Sequence, residues 1–277
     1  MRKINSLTVK YQGQTVGMLA ETRDGKCAFQ YDKVWQTQGF SLNPFSLPLT
    51  DKVFLPQKEV FEGLFGVFAD SLPDRWGRLL VDRVLLSRKM SPMSVNAMTR
   101  LGIVGASGMG ALEYYPELMK LDGEEKRDFD QLSLECERIL KEENCQELDT
   151  LFRLGGSSGG ARPKVFTTID NEPWIVKFPA SDDSRTIGEE EYQYMKCAEH
   201  CGILVPEVKL IPSTICGGYY GVKRFDRVGN RKIHMVTVSG LLETSHRIPN
   251  LDYHDLMRLT YLLTRDNVQM EEMYRRL

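Results

Sequence analysis

No window of the 277-residue chain approaches the ~20 consecutive apolar residues that a membrane-spanning helix requires, and the opening MRKINSLTVKYQGQ has no apolar core of a signal peptide. A membrane role is set aside on this reading, and a cytoplasmic protein is expected. An excess of one charge sign is also missing. Lys and Arg number 36 against 38 Asp and Glu, a formal charge of −2, which argues against direct coating of nucleic acid or anionic lipid. Cysteine is scarce: Cys27, Cys136, Cys145, Cys197, Cys201 and Cys216 include no Cys-x-x-Cys pair, so reduced thiols fit better than a disulfide scaffold. Cys197, His200 and Cys201 share part of one helical face without a second ligand pair nearby, which favours small side chains packed in a helix over zinc, and no metal ligand is assigned. There is no internal repeat, no Gly-Lys-Ser/Thr ending of a phosphate-binding loop, and no G-x-G-x-x-G opening a helix.

What is present divides the chain into roughly two units, residues 1–125 and 126–277. Residues 6–32 alternate apolar and polar side chains between turn signals, the pattern of antiparallel hairpins. From 57 to 88 the spacing becomes helical, with Val60, Leu64, Phe65 and Phe68 on a first segment and Leu79, Leu80, Val81, Val84 and Leu85 on a second. Pro73 separates them and can open the second. Residues 102–110 read as a glycine turn feeding the strand ALEYYP rather than as an anion site, because no helix signal follows. The charge-rich stretch 120–149 carries one amphipathic helix, about 128–141, and is the expected junction.

The chemistry concentrates after Leu154. Gly155, Gly156, Ser157, Ser158, Gly159 and Gly160, followed by Ala-Arg162-Pro-Lys164, can bring several backbone N–H groups and hydroxyls onto one anion. A strand hairpin follows, Lys164 to Ile169 and Trp174 to Phe178. A glycine-rich loop feeding antiparallel strands covers the ATP phosphates in protein kinases, although alone it is equally a flexible connector. Strand alternation puts Ile175 and Lys177 on one face and Trp174 and Val176 on the other. On the next helix Ile187, Glu191, Met195 and Ala198 line one face, and a carboxylate in that stripe needs a cation, for which Lys177 is the nearest candidate. The alternatives are a lysine snorkelling from a strand end and a hydrated glutamate. Residues 205–211 and 217–227 read as further strands, and 251–263 and 268–277 as helices.

The segments FSLPL (45–49), LFGVFADSLPDRWGRLL (64–80), GIVGASGMGALEYYP (102–116), GGSSGGARPKV (155–165), WIVKFP (174–179) and KRFDR (223–227), with the helix beginning at Glu191, together resemble the HipA family of bacterial serine/threonine kinase toxins. The resemblance implies an α+β, protein-kinase-like fold behind a β-rich N-terminal subdomain, with ATP and Mg²⁺ as cofactors. It implies phosphorylation of a protein serine, on an aminoacyl-tRNA synthetase such as the glutamyl enzyme. It further implies a HipB-like helix-turn-helix antitoxin as partner, and operator DNA reached only through that partner. Carried over residue by residue, Lys177 is the ATP-phosphate lysine and Glu191 its helix partner. Gly155 to Lys164 form the mobile loop, with Arg162 and Lys164 adding positive charge beside the phosphates. Ser157 is the loop serine whose autophosphorylation ejects the loop, with Ser158 its rival.

One departure stands out. The family's Asp-Asp-His-x-Lys-Asn segment and its later metal-binding Asp do not occur in the 277 residues. Tyr253-His254-Asp255 superficially resembles a catalytic loop but reads as a helix start, and Asp266-Asn267 reads as a turn. The expectation is therefore a fragment with an incomplete C-terminal lobe, without catalytic residues of its own and with its Mg²⁺ ligands elsewhere. A non-catalytic module that binds the antitoxin or a separate kinase subunit is the alternative, as is a pseudokinase.

Overall fold

The computed structural model describes residues 4–58, 60–119 and 128–277. The chain is α+β, with a five-stranded and a four-stranded antiparallel sheet and a small hairpin. The expected boundary at 125/126 falls outside the described residues. Among those residues, no helix is long and apolar enough to cross a membrane.

The N-terminal half contains β1 (Ser6–Tyr11), β2 (Gln14–Glu21), β3 (Cys27–Tyr31), α1 (Lys33–Gln38), β4 (Val53–Phe54), α2 (Gly66–Ala69), α3 (Arg75–Ser87), α4 (Ala97–Val104) and β5 (Leu112–Tyr115). Its sheet runs β4-β3-β2-β1-β5. The two-residue turn Gln12-Gly13, left-handed at both positions, matches the strand twist and sets the register Tyr11↔Gln14. Leu7, Val9, Val16, Leu19 and Phe29 then face one core with Trp35, Phe68 and Tyr114. Three readings from the pattern are corrected. The first helical segment shrinks to the four residues of α2, because Glu62 and Gly63 both adopt positive φ and break any helix before it, leaving Val60 exposed. Pro73 does not open α3; Asp74 caps it, its carboxylate accepting the Arg75 N–H at 2.8 Å. The stretch from Gly102 is likewise helical as far as Val104, and its turn begins only at Gly105.

The C-terminal half contains α5 (Phe129–Leu140), α6 (Leu148–Gly155), β6 (Lys164–Ile169), β7 (Glu172–Lys177), α7 (Ile187–His200), β8 (Val208–Ile211), β9 (Tyr219–Lys223), β10 (Arg227–Val228), β11 (Arg231–Lys232), α8 (Val238–Leu241), α9 (Tyr253–Thr264) and α10 (Asn267–Arg275). The second sheet runs β6-β7-β9-β8. Asp170-Asn171, left-handed at both positions, closes the β6–β7 hairpin. The α5 helix matches the expected 128–141 because Asp128 caps it and Leu132, Cys136 and Ile139 bury one face. A second core joins these residues to Val165, Val176, Phe178 and Tyr219, and also takes in Trp76, Leu80, Val81, Val84 and Leu85 of α3. The α9 start is a reciprocal capping box of Asp252 and Asp255, which agrees with a helix start rather than a catalytic loop. Asp252, His254 and Asp255 are the one cluster with metal-ligand proximity among the described residues, and all three are exposed.

Two carboxylates fix the second sheet. Asp130, in the first turn of α5, accepts hydrogen bonds from Ser213 Oγ (2.6 Å), Thr214 N (2.9 Å), Thr214 Oγ1 (2.5 Å) and Tyr219 Oη (2.8 Å), and these donors hold it well below the usual carboxylate range. Asp226 is fully buried between Arg224 (2.9 and 2.7 Å) and Arg227 (2.7 Å), and accepts the Gly110 N–H at 2.8 Å. It thereby joins the exit of β9 to the turn before β5.

Asp226→Asn should lower the stability to urea by about 3–5 kcal/mol, since it strands the buried Arg224 and half-buried Arg227 guanidinium groups beside a neutral amide. An unchanged urea midpoint would refute this. Asp130 contributes stability that is present above its unfolded pKa of about 4 and lost as pH falls further. Asp130→Asn should therefore flatten the acid limb of a pH–stability profile while costing stability at neutral pH.

Candidate functional site

The strand register places the site. Lys164 pairs with Lys177, and Lys177 with Tyr220, so these three side chains share one face of the second sheet; Phe166, Ile175 and Val222 share it two residues further along. Val165, Trp174 and Val176 take the opposite face and are buried. The structure brings Lys177 and Glu191 into a direct hydrogen-bonded ion pair, and Lys177 Nζ also lies 5.0 Å from the centre of the Tyr220 ring. The helix that carries Glu191 is held to the sheet by Gly188, where a Cβ would sit 2.1 Å from Gly218 O. Gly188 is its only fully buried residue. The stripe Ile187, Glu191, Met195 and Ala198 is half-buried rather than sealed in the core. Cys197, His200 and Cys201 are exposed, not packed, because that face of α7 turns to solvent.

The glycine-rich segment begins later than its composition suggests. Gly155 is the last residue of α6 and Gly156 its cap, in right-handed helical geometry, so the loop proper is residues 157–163. Ser157 is buried, its hydroxyl donating to Ser107 O at 2.8 Å; Ser158 is fully buried and donates to Gly155 O at 2.6 Å. Gly160, at φ +86, lets the chain turn back, and a Cβ there would come within 3.0 Å of Lys164 Nζ.

Around the loop, cations and carboxylates are matched. Arg162 binds Asp183 through Nε (2.8 Å) and a terminal nitrogen (3.0 Å), and its other terminal nitrogen is 3.9 Å from Glu191. Asp183 also accepts the Ala180 N–H at 2.9 Å, and these partners lower its pKa against the cost of burial. Lys164 is buried, donates to Gly159 O at 2.6 Å, and is pushed down to about 8 by desolvation and by Lys177 beside it. Three cations thus converge on one sheet face under a turn of backbone, a setting that suits a polyanion, while further along the same face the Arg224 guanidinium lies 4.3 Å over the Phe166 ring.

Pattern reading missed several participants. Asp183 sits in an unremarkable Ala-Ser-Asp-Asp-Ser loop and carries no sequence signal. Tyr220 follows from Lys177 only once the β7–β9 register is known. Asp74 and Trp76 lie some 80 residues upstream, yet Trp76 Nε1 donates to Lys164 O at 3.1 Å and Trp76 N to Gly160 O at 3.1 Å.

The HipA N-terminal domain family matches residues 7–115, and the HipA-like C-terminal domain family matches residues 156–277. The chain is a HipA-like protein. A search of curated proteins finds no match. Within the HipA-like C-terminal domain match lie Lys177, Glu191 and the whole loop, whereas Asp74 and Trp76 lie in the N-terminal match.

Lys164 should titrate near 8, well below exposed lysines at about 10.4. Nuclear magnetic resonance of ¹³C-dimethylated lysines, with Lys164→Arg assigning the signal, reads this directly; a midpoint at 10 or above would contradict the buried, paired setting.

Proposed function

We propose that this HipA-like chain binds ATP between its glycine-rich loop and the β6-β7-β9 face, in the manner of a serine/threonine kinase toxin. The observation that carries the reading is the Lys177–Glu191 ion pair beneath the loop, the strand-lysine and helix-glutamate arrangement that holds ATP phosphates in protein kinases. In this reading Glu191 aims Lys177 at the phosphates, Lys164 and Arg162 supply further positive charge, and Ile175 and Val222 offer an apolar floor for the base beside Phe166, whose ring is covered by the Arg224 guanidinium at 4.3 Å. The carboxylates around the loop do not make a Mg²⁺ site: Asp183 and Glu191 are engaged by cations and Asp74 by backbone amides, so no step is assigned to the metal.

The family's wider chemistry extends the proposal. A HipB-type antitoxin would be the partner, operator DNA would be reached through it, and the phosphate acceptor would be a serine of an aminoacyl-tRNA synthetase, the glutamyl enzyme first among them. Ser157, whose hydroxyl faces the N-terminal half, is the proposed autophosphorylation site ahead of the fully enclosed Ser158. With no Asp-Asp-His-x-Lys-Asn segment among the 277 residues, the activity proposed for these residues is nucleotide binding rather than phosphoryl transfer.

Lys177→Ala should weaken ATP binding, measured by calorimetry, by at least about tenfold, the loss of one charged phosphate contact. Unchanged affinity would show that the lysine is misassigned. Affinity should also fall as pH rises through about 8, because Lys164 loses its proton there and with it one positive charge. Robust phosphoserine on glutamyl-tRNA synthetase incubated with ATP and the 277-residue chain would contradict the restriction to binding.

A further inference from the structure

The glycine-rich loop is seated on the other half of the molecule, and it is seated with the wrong polarity for an anion. Three successive carbonyls of the loop are already taken by donors: Ser158 O by Asp74 N at 3.2 Å, Gly159 O by Lys164 Nζ at 2.6 Å, and Gly160 O by Trp76 N at 3.1 Å. An anion-binding loop presents N–H groups, not carbonyls, to its ligand. The loop amide of Gly160 points instead at a carboxylate, Asp74 Oδ2, at 3.4 Å. The seat is close-fitting. At Gly77, one turn into α3, an added Cβ would stand 2.7 Å from Ser158 O and 3.0 Å from Gly156 O. Asp74 also lies near enough to Lys164 to favour its charged form.

We propose that Asp74 is a built-in stand-in for the phosphate: its carboxylate holds the Gly160 amide, keeping the loop on α3 until a nucleotide phosphate displaces it. Asp74 then limits nucleotide affinity from the N-terminal half. This rests on the nucleotide-binding reading above. Binding requires Lys164 to exchange the Gly159 carbonyl for a phosphate oxygen, and the Gly160 amide to leave the carboxylate. Both exchanges are opposed by the negative charge of Asp74 and by the carbonyl contacts of Asp74 N and Trp76 N. No covalent step is involved.

The test uses the full 277-residue chain with Asp74→Asn, which keeps an acceptor for the α3 cap and for Gly160 while removing the charge, and Asp74→Ser, which keeps the cap but cannot reach the loop. Calorimetry with ATP and Mg²⁺ should show binding tightened about 3- to 10-fold in both variants, and lost again when Lys177→Ala is added. Hydrogen-exchange mass spectrometry of the loop peptide without nucleotide should show faster exchange in Asp74→Ser. Equal or weaker ATP affinity in variants with wild-type circular dichroism would overturn the proposal. Unchanged loop exchange in Asp74→Ser would overturn the hold by Asp74 whether or not ATP binds. Absence of ATP binding in every variant, alongside a loosened loop, would instead overturn the nucleotide site, and the displacement with it.

Discussion

The arrangement of the two halves depends on a carboxylate with no access to water. Asp226 is neutralised by Arg224 and Arg227 and takes up the Gly110 amide, while Arg227 reaches on to Gly108 O and Gly110 O. A buried charge of this kind has few acceptable geometries, since any displacement of one partner leaves an uncompensated ion in a low-dielectric interior. The turn before β5 and the exit of β9 are therefore locked in one relative position. Because β9 carries Tyr220 and pairs with β7, that lock extends to Lys177. A second tie runs alongside: Asn43, fully buried, donates to Gly240 O and Leu241 O, and Glu243 accepts the Gly66 N–H at 3.0 Å. Gly66 and Gly240 approach so closely that neither tolerates a side chain.

Within that frame the site is an exercise in placing like charges side by side. Cross-strand pairing puts Lys164 directly opposite Lys177, an arrangement that is unfavourable unless anions or dipoles compensate. Glu191 compensates Lys177 and the Gly159 carbonyl compensates Lys164, while Asp183 draws off Arg162. The repulsion that remains is what the phosphates of the proposed nucleotide would relieve.

How much of this could be read from residues alone varied with the range of the interaction. Local signals sufficed for the β6–β7 hairpin, for the span of α5, and for the α9–α10 pair with a turn at Asp266. The Lys177–Glu191 contact was also legible, since strand alternation and helical spacing both point a side chain at one place. The failures came where a longer-range contact overrode a local pattern. Residues 57–65 carry helical spacing, but Glu62 and Gly63 turn left-handed and a Cβ at Gly63 would meet Gly25 O at 2.5 Å. Gly155 and Gly156 looked like loop residues, yet they continue α6, Gly156 N donating to Phe152 O at 2.7 Å, and a Cβ at Gly155 would stand 2.5 Å from Lys164 O. The seat of the loop on Asp74 joins residues 86 positions apart, and no periodicity carries that information.

The second core includes five α3 side chains, Trp76 to Leu85, from the N-terminal half. Each family match therefore ends on a unit that does not own its packing: residues 156–277 alone would present the faces of Val165, Val176 and Tyr219 to water where α3 and α5 belong. The consequence is for cooperativity. Instead of melting as two beads on a string, the halves share one buried apolar surface, so unfolding of either removes the wall of the other, and the chain should behave as one thermodynamic unit.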